Sequence, residues 1–451
     1  MHFDSVDQFT NFLDEEAIRF HKIGVFDIDG IFRGKYVDRE KFESALRKGF
    51  GFCDVVLGWD SNDQLYDNTK ASGWHTGYRD APVELDLATV RKIPFEADTV
   101  LVVGHFAGEY ASVCPRRLLA RVNDKAHAMG FDVRAALEYE FFLFNETPES
   151  ARAKGYRNLD TFTPGMFGYS MLRSGVHAEL YHDLLQTMEA LEIPIEGLHT
   201  ETGPGVIEAA IRHDELMAAA DKGALFKTFA KIFAQRSGLM ATFMAKWSNN
   251  VPGQSGHIHI SLERRGSGEN LFVDANDPQG LSPTMRHFIA GQVTLMPQVL
   301  PMICSTINAY RRMVPGFWAP THATWGVENR TTAIRAIPAG KATRSEYRLG
   351  PADANPYIAL AAALATGLWG IEQQLECPPM VVGSAYDNPG AAQALPGTLA
   401  EATARFASSE IAKQLFGEPF VEHFAATRDW EDRLYRRHVS DWDLARYFEI
   451  I

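Results

Sequence analysis

At 451 residues, 46% of them hydrophobic, the chain is long enough to bury a large core and is expected to make two or more domains. A formal net charge of -13 argues against a general nucleic-acid or membrane-surface binder, either of which needs a basic footprint. No run of about 18 apolar residues is available to span a membrane. The acidic, amphipathic start MHFDSVDQFTNFLDEEAIRF does not read as a secretory signal. Cys53, Cys114, Cys304 and Cys377 lack metal-type spacing, so reduced thiols in a cytoplasmic protein are expected.

In chain order, Ser5 to Phe20 reads as a short helix. Two strand-like runs follow, KIGVFDI and IFRGKYV, joined at Asp29-Gly30, a strong hairpin signal. A loop-rich stretch (WDSNDQLYDN, SGWHTGYRD) precedes a further strand, DTVLVVGHF. Together these predict a small sheet-based N-terminal domain over 1–113, with a second domain over 114–451. PRRLLARVNDKAHAMG is a helix with a glycine stop. Longer helices are expected over His177 to Leu191, Asp214 to Arg236 and Ala354 to Leu375. Ser384 to Gly397, rich in Pro, Gly and Ala, reads as a surface loop. Arg428 to Ile451 reads as a helix followed by an acidic, aromatic tail that could dock on a neighbour.

Alternation along four strand-like runs gathers polar groups on single faces. DVRAALEYEFFLF puts Glu138 beside Glu140, and HIHISL puts His257 beside His259 and Ser261. SEYRLG pairs Glu346 with Arg348, and GVIEAAIR pairs Glu208 with Arg212, with Glu201 just upstream. One such pair is ordinary in a half-solvated strand; the whole set is not. Five glutamates and a histidine would repel unless cations held them or the strands lay far apart. Carboxylate-rich ligation with imidazole suits Mg or Mn better than zinc.

A basic segment completes the equipment. Between Arg311 and Arg348 the chain carries Arg311, Arg312, Arg330, Arg335, Lys341, Arg344 and Arg348 against only Glu328 and Glu346. Interleaved with Pro, Gly and Thr rather than set at helical spacing, these charges read as a substrate-lining segment. Divalent metals beside arginines are the apparatus of phosphoryl transfer. Neither a Walker glycine loop nor a dinucleotide fingerprint is present.

The ordered set LEYEFFLF, ETGPGVIE, GQSGHIHISL, RRMVPGFWAP, ENRTTAIR and EYRLGPADANPY resembles the glutamine synthetase family. The resemblance runs from about Lys22 to Leu375, and the tail DWDLARYFEII is similar to that of its amine-ligating branch. It implies an α+β fold with a small β-grasp N-terminal domain. A larger catalytic domain would be built on an open antiparallel β-barrel flanked by helices. It also implies a homo-oligomeric ring, hexamer or stacked dodecamer, with active sites between subunits.

By position, the resemblance gives Glu140, Glu201 and Glu208 to a metal near the amino-acid substrate. It gives Glu138, His257 and Glu346 to a metal that meets the nucleotide phosphates. His259 and Ser261 fall at ATP contacts, and Gly253, Arg312 and Arg348 at the glutamate site. Arg330, Arg335, Lys341 and Arg344 fall where the family faces the transferred phosphoryl group and the nucleotide. The implied reaction passes the γ-phosphoryl group of ATP to the γ-carboxylate of glutamate, after which a nitrogen nucleophile displaces phosphate.

Two departures bear on that nucleophile. Where ammonia-using members carry a flap glutamate, this chain has Trp318, which attracts a cation only through its ring face. The N-terminal FDGSS motif is replaced by FCDVVLGWD, leaving Asp54 and Asp60 as candidates for the general base. The segment WAPTHATWGVENRT resembles the γ-glutamyl-amine branch, so the expected product is a γ-glutamyl amide of an organic primary amine. Trp318, with Phe317 and either Trp59 or Trp74, would line an aromatic entrance. The alternatives are an ordinary ammonia-using glutamine synthetase and a noncatalytic homologue. Tyr386, in AYDNPG, sits at the spacing of a tyrosine that regulated members modify, but its surroundings match poorly and an unmodified loop residue is expected.

Overall fold

The computed structural model describes residue 1 and residues 3–451. Among these residues the strands form two sheets. The first has six strands, in the order Phe32–Val37, Phe20–Phe26, Thr99–Phe106, Asp80–Leu85, Phe50–Cys53, with the short Arg91–Lys92 added to Thr99–Phe106. The expected hairpin is present, with Lys22 opposite Tyr36. Its turn works because Gly30 takes φ +78, and because the Asp27 carboxylate accepts from the backbone N–H groups of Asp29 and Ile31. TVLVVGHF is a continuous apolar run for a physical reason: both its faces are covered. Val100 and Val102 pack with Phe9, Leu13 and Phe42, from the helices Val6–Glu15 and Arg39–Lys48. Leu101 and Val103 point the other way, into the core of the larger body.

The second sheet has nine strands. Its path runs Trp325–Val327, Ile334–Ile337, Arg344–Tyr347, Gly256–Arg264, Phe131–Phe144, Val206–Ile211, Ile195–Thr200. Asp214–Glu215 and Met240–Thr242 add to Phe131–Phe144. Pairing is antiparallel except between Trp325–Val327 and Ile334–Ile337. Leu137, Tyr139 and Phe141 lie beneath this curled sheet against helix Leu216–Arg236. Helices Pro283–Ile303 and Pro356–Glu372 cross behind it in close contact. Their approach depends on glycine. A Cβ on Gly291 would lie 2.2 Å from the Thr366 carbonyl oxygen, and one on Gly370 would lie 2.1 Å from that of His287.

Several boundaries differ from the sequence expectation. The first helix ends at Glu15, since Ala17 takes φ +51 and Phe20 opens a strand. Asp214 and Glu215 are strand rather than helix, paired with Ala135 and Arg134, so the helix begins at Leu216. The C-terminal helix spans Glu418–Arg437, ten residues earlier than expected, and a separate turn of helix covers Asp441–Tyr447. That tail leaves Trp442, Phe448, Ile450 and Ile451 exposed. No helix among the described residues is long and apolar enough to cross a membrane.

Candidate active site

Strand register assembles the site. On the concave face His257 lies opposite Glu138, His259 opposite Glu346, Glu140 opposite Glu208, and Arg335 opposite Glu346. Period-2 alternation then puts every one of these side chains on the same face. They line a cavity of about 620 Å³ together with Glu201, Gly253, Arg330, Arg344, Arg348 and Trp318. A second cavity of about 590 Å³ opens on the other side, walled by Ser261, Lys341, Arg212 and Arg134. The two share Glu138, Ala210, His259 and Arg344, so the carboxylate–imidazole cluster is the wall at which they meet.

The acids divide into two electrostatic groups. Glu138, His259 and Glu346 each present a ligand atom within 4.8 Å of the others'. His257 Nδ1 lies 3.3 Å from Glu138 and 3.4 Å from Glu346. Burial resists ionisation of Glu138, yet His259 and then His257 hold it well below the ordinary carboxylate range. Glu346 is driven down to about 2 against burial, by His257, Arg348 and His259. The other group has three acids and one imidazole partner, His199. Burial, then the charge of Glu208, pushes Glu140 up to about 7, and the same two causes raise Glu201. Burial opposes protonation of His199, but its bond to Glu208 prevails and lifts the imidazole to about 9.

Three buried atoms of the cluster, Glu201 Oε2, His257 Nε2 and His259 Nε2, have no hydrogen-bond partner among the described residues. An acid-rich trio short of positive charge, with an orphaned carboxylate oxygen and orphaned ring nitrogens, fits divalent cations with oxygen and imidazole ligands. The sequence placed His257 with Glu138 and Glu346. The structure adds His259, whose Nε2 lies 3.1 Å from Glu138.

The arginines are mostly tied. Arg335 bonds Glu328 and, at 3.1 Å, Glu346. Arg348 donates to Glu346 at 2.5 Å and to the Arg330 carbonyl oxygen at 3.1 Å. Arg344 Nε donates to His259 Nδ1 at 3.1 Å. The Arg330 guanidinium has no protein partner among the described residues and faces the first cavity beside Trp318, which is 51% exposed.

Not every predicted residue is brought together. Arg312 is only 1% exposed and lies behind the cavity wall. Asp54 is buried among the N-terminal strands, its carboxylate accepting from the hydroxyls of Thr76 and Tyr110. Asp60 accepts from Trp430 Nε1. Trp59 lies against Arg33, and Trp74 is 78% exposed beside Tyr78. None of these lines either cavity within one chain. Phe317 sits 4.6 Å beneath the Lys246 ammonium. The Tyr386 hydroxyl is buried, without a hydrogen-bond partner among the described residues, rather than presented to solvent.

Sequence reasoning missed Tyr169 and His199, which line the cavity with their rings stacked 4.3 Å apart. His199 was detectable, since it stands two residues before Glu201, at strand spacing. Tyr169 was not, because it sits in a loop at φ +54 with no periodicity around it.

Residues 112–447 match the family described as glutamine synthetase, catalytic domain. A type-1 glutamine synthetase 2 from Dictyostelium discoideum is 46% identical over 96% of this chain and 84% of its own. A glutamate–isopropylamine ligase from Pseudomonas sp is 36% identical over 98% and 97%. The solved structure of a GmaS/ADP complex superimposes with a TM-score of 0.85 at 25% identity, covering 97% of this chain and 99% of that one.

Proposed function

Because this chain belongs to the glutamine synthetase family, an ATP-dependent carbon–nitrogen ligase family, we propose that it joins the γ-carboxylate of glutamate to an organic primary amine through γ-glutamyl phosphate. The observation that carries the reading is the meeting of two cavities at one cluster of carboxylates, imidazoles and arginines. Such a wall can bring a nucleotide from one side against an acid from the other.

Glu140, Glu201 and Glu208 would hold one divalent cation, Mg or Mn, and Glu138, His257 and Glu346 would hold another, with His259 beside it. Cations held there would supply positive charge against phosphate oxygens. His259, Ser261, Lys341 and Arg344 receive ATP. Gly253 and Arg348, with Arg312 behind them, frame the glutamate site. A γ-carboxylate oxygen attacks the γ-phosphorus and ADP departs, while Arg330 and Arg335 stabilise the charge that spreads over the transferring oxygens. The amine nitrogen then attacks the acyl carbon, the carbon–oxygen bond to phosphate breaks, and the nitrogen's proton passes to a base.

Asp54, with Asp60 as its alternative, supplies that base from the N-terminal unit of an adjacent copy. This follows from a ring in which sites lie between subunits, residues 1–113 forming a β-grasp unit and 114–451 the catalytic one. Trp318 occupies the mouth of the site, where an aromatic face suits an amine with an apolar body better than bare ammonium. A glutamate–isopropylamine ligase among the relatives supports this choice. The ammonia-using alternative is favoured by one observation, the 46% identity to a protein named glutamine synthetase. Retention of every matched carboxylate and imidazole argues against a noncatalytic homologue.

Isotope transfer tests the intermediate. Glutamate labelled with ¹⁸O in its γ-carboxylate should deliver one labelled oxygen to each released phosphate. Unlabelled phosphate would show that no acyl phosphate forms.

A further inference from the structure

Between helix Ala309–Arg312 and strand Trp325–Val327, the segment 313–320 passes beside the first cavity and puts Trp318 in its wall. Both ends are tied down. Before it, Arg311 Nη2 donates to the Tyr435 hydroxyl at 2.9 Å; after it, the Thr321 carbonyl oxygen accepts from the Leu395 N–H at 3.0 Å. Among the described residues, the backbone–backbone bonds between those ties run from the Val314 N–H to the Arg312 carbonyl oxygen and from the Phe317 N–H to that of Val314. Neither reaches beyond the segment's own turn. Phe317 does, setting its ring face 4.6 Å from Lys246 Nζ. Lys246 is a fixed post. It is buried, its N–H donates to Asn308 Oδ1 at 2.7 Å, and its carbonyl oxygen accepts from Asn308 Nδ2 at 2.8 Å. Its ammonium also donates to the Val251 carbonyl oxygen, just before Pro252 and Gly253, which line the same cavity as Trp318. One cation thus touches two segments of one cavity wall.

We propose that Lys246 and Phe317 are positioning residues whose contact latches segment 313–320 onto loop 248–253, holding Trp318 at the cavity and keeping water from the activated acid. The water-excluding half rests on the acyl phosphate reading above. A desolvated ammonium on a ring face shifts an equilibrium by about 5–30-fold, enough to set how often the segment opens. Phe317 stands between two residues of positive φ, Gly316 at +83 and Trp318 at +59, so anchoring one ring fixes which way the next one points. With the latch lost, water enters. Its oxygen bonds to the acyl carbon, the carbon–oxygen bond to phosphate breaks, and glutamate, phosphate and a proton leave without an amide.

The test pairs hydrogen–deuterium exchange of the peptide covering 313–320, in the intact enzyme without substrates, with ADP release from ATP and glutamate in the absence of any amine. Phe317→Leu removes the ring face and Lys246→Met removes the charge, and both keep apolar volume. Each should speed exchange of that peptide by about 5–30-fold and raise amine-free ADP release by a similar factor. Phe317→Tyr, which keeps a ring face, should restore both. The double variant should exchange no faster than the faster single one, since a shared contact is lost only once. Unchanged exchange in Phe317→Leu, or single effects that multiply in the double variant, would overturn the latch. Faster exchange with amine-free ADP release at the parent rate would overturn the water-excluding role. A thermal melt accompanies each variant, and Phe317→Leu, half-buried on the segment itself, tests the contact even where Lys246→Met does not fold. Exchange needs no chemistry, so failure of the latch is read apart from failure of the acyl phosphate, which the ¹⁸O transfer reports.

Discussion

Trp318 sits at φ +59, a left-handed conformation that costs a bulky side chain about 1–3 kcal/mol. Gly316, two residues earlier, takes φ +83. The backbone therefore turns the indole toward the cavity at a measurable cost, which suits a selecting role. Trp318→Glu is expected to lower kcat/KM for organic amines by about 10-fold or more and to raise it for ammonia, read from ADP release. Glu140 makes a different prediction. With its carboxyl pushed up to about 7, cation binding below that pH must expel a proton. Mn²⁺ affinity should thus rise with pH and level off above about 7, with proton release visible by calorimetry in buffers of different ionisation enthalpy. Affinity independent of pH across that range would contradict the ligand assignment.

At the scale of elements, Asn355 joins the two sheets. Its Oδ1 caps helix Pro356–Glu372 by accepting from Tyr357 N–H, and its Nδ2 donates to the carbonyl oxygens of Asp27 and Ile28 at 3.1 Å each. Asn355→Ala removes the helix cap and the donor to the Ile28 carbonyl oxygen, while the Asp27 carbonyl keeps the Gly30 N–H, and should cost about 1–3 kcal/mol, seen as a lowered melting temperature. Strand faces were the most legible part of the sequence. Alternation alone put Glu138 with Glu140 and His257 with His259, and the register confirms that those faces point into one cavity. Helix starts were less legible where a neighbour decides them. Asp214 pairs with Ala135, a contact invisible to local propensity. Arg312 shows the same limit at the site. Its type and place in the chain suggested the glutamate site, and only packing reveals that its guanidinium is buried and donates to Ser255.

For the whole molecule, the decisive separation is between the cavity, built on the nine-stranded sheet, and Asp54, which follows a strand of the six-stranded sheet. If sites form between copies, the two halves of a site come from different subunits. Mixing Asp54→Asn and Glu346→Ala proteins, each inactive alone, should regenerate about a quarter of the parental activity after co-assembly. Full activity in Asp54→Asn alone would remove Asp54 from the chemistry, and continued inactivity in verified hybrids would place both residues in the same site of one chain.

The identity of the acceptor is read most directly from the specificity constant for ADP release with glutamate and ATP. It is taken across ammonia, small alkylamines, aromatic amines and polyamines. The structure leads us to expect an organic amine to exceed ammonia by at least about 10-fold, and that preference to be lost in Trp318→Glu. If ammonia gave the highest constant, the ligase chemistry would stand and the proposed acceptor would be wrong.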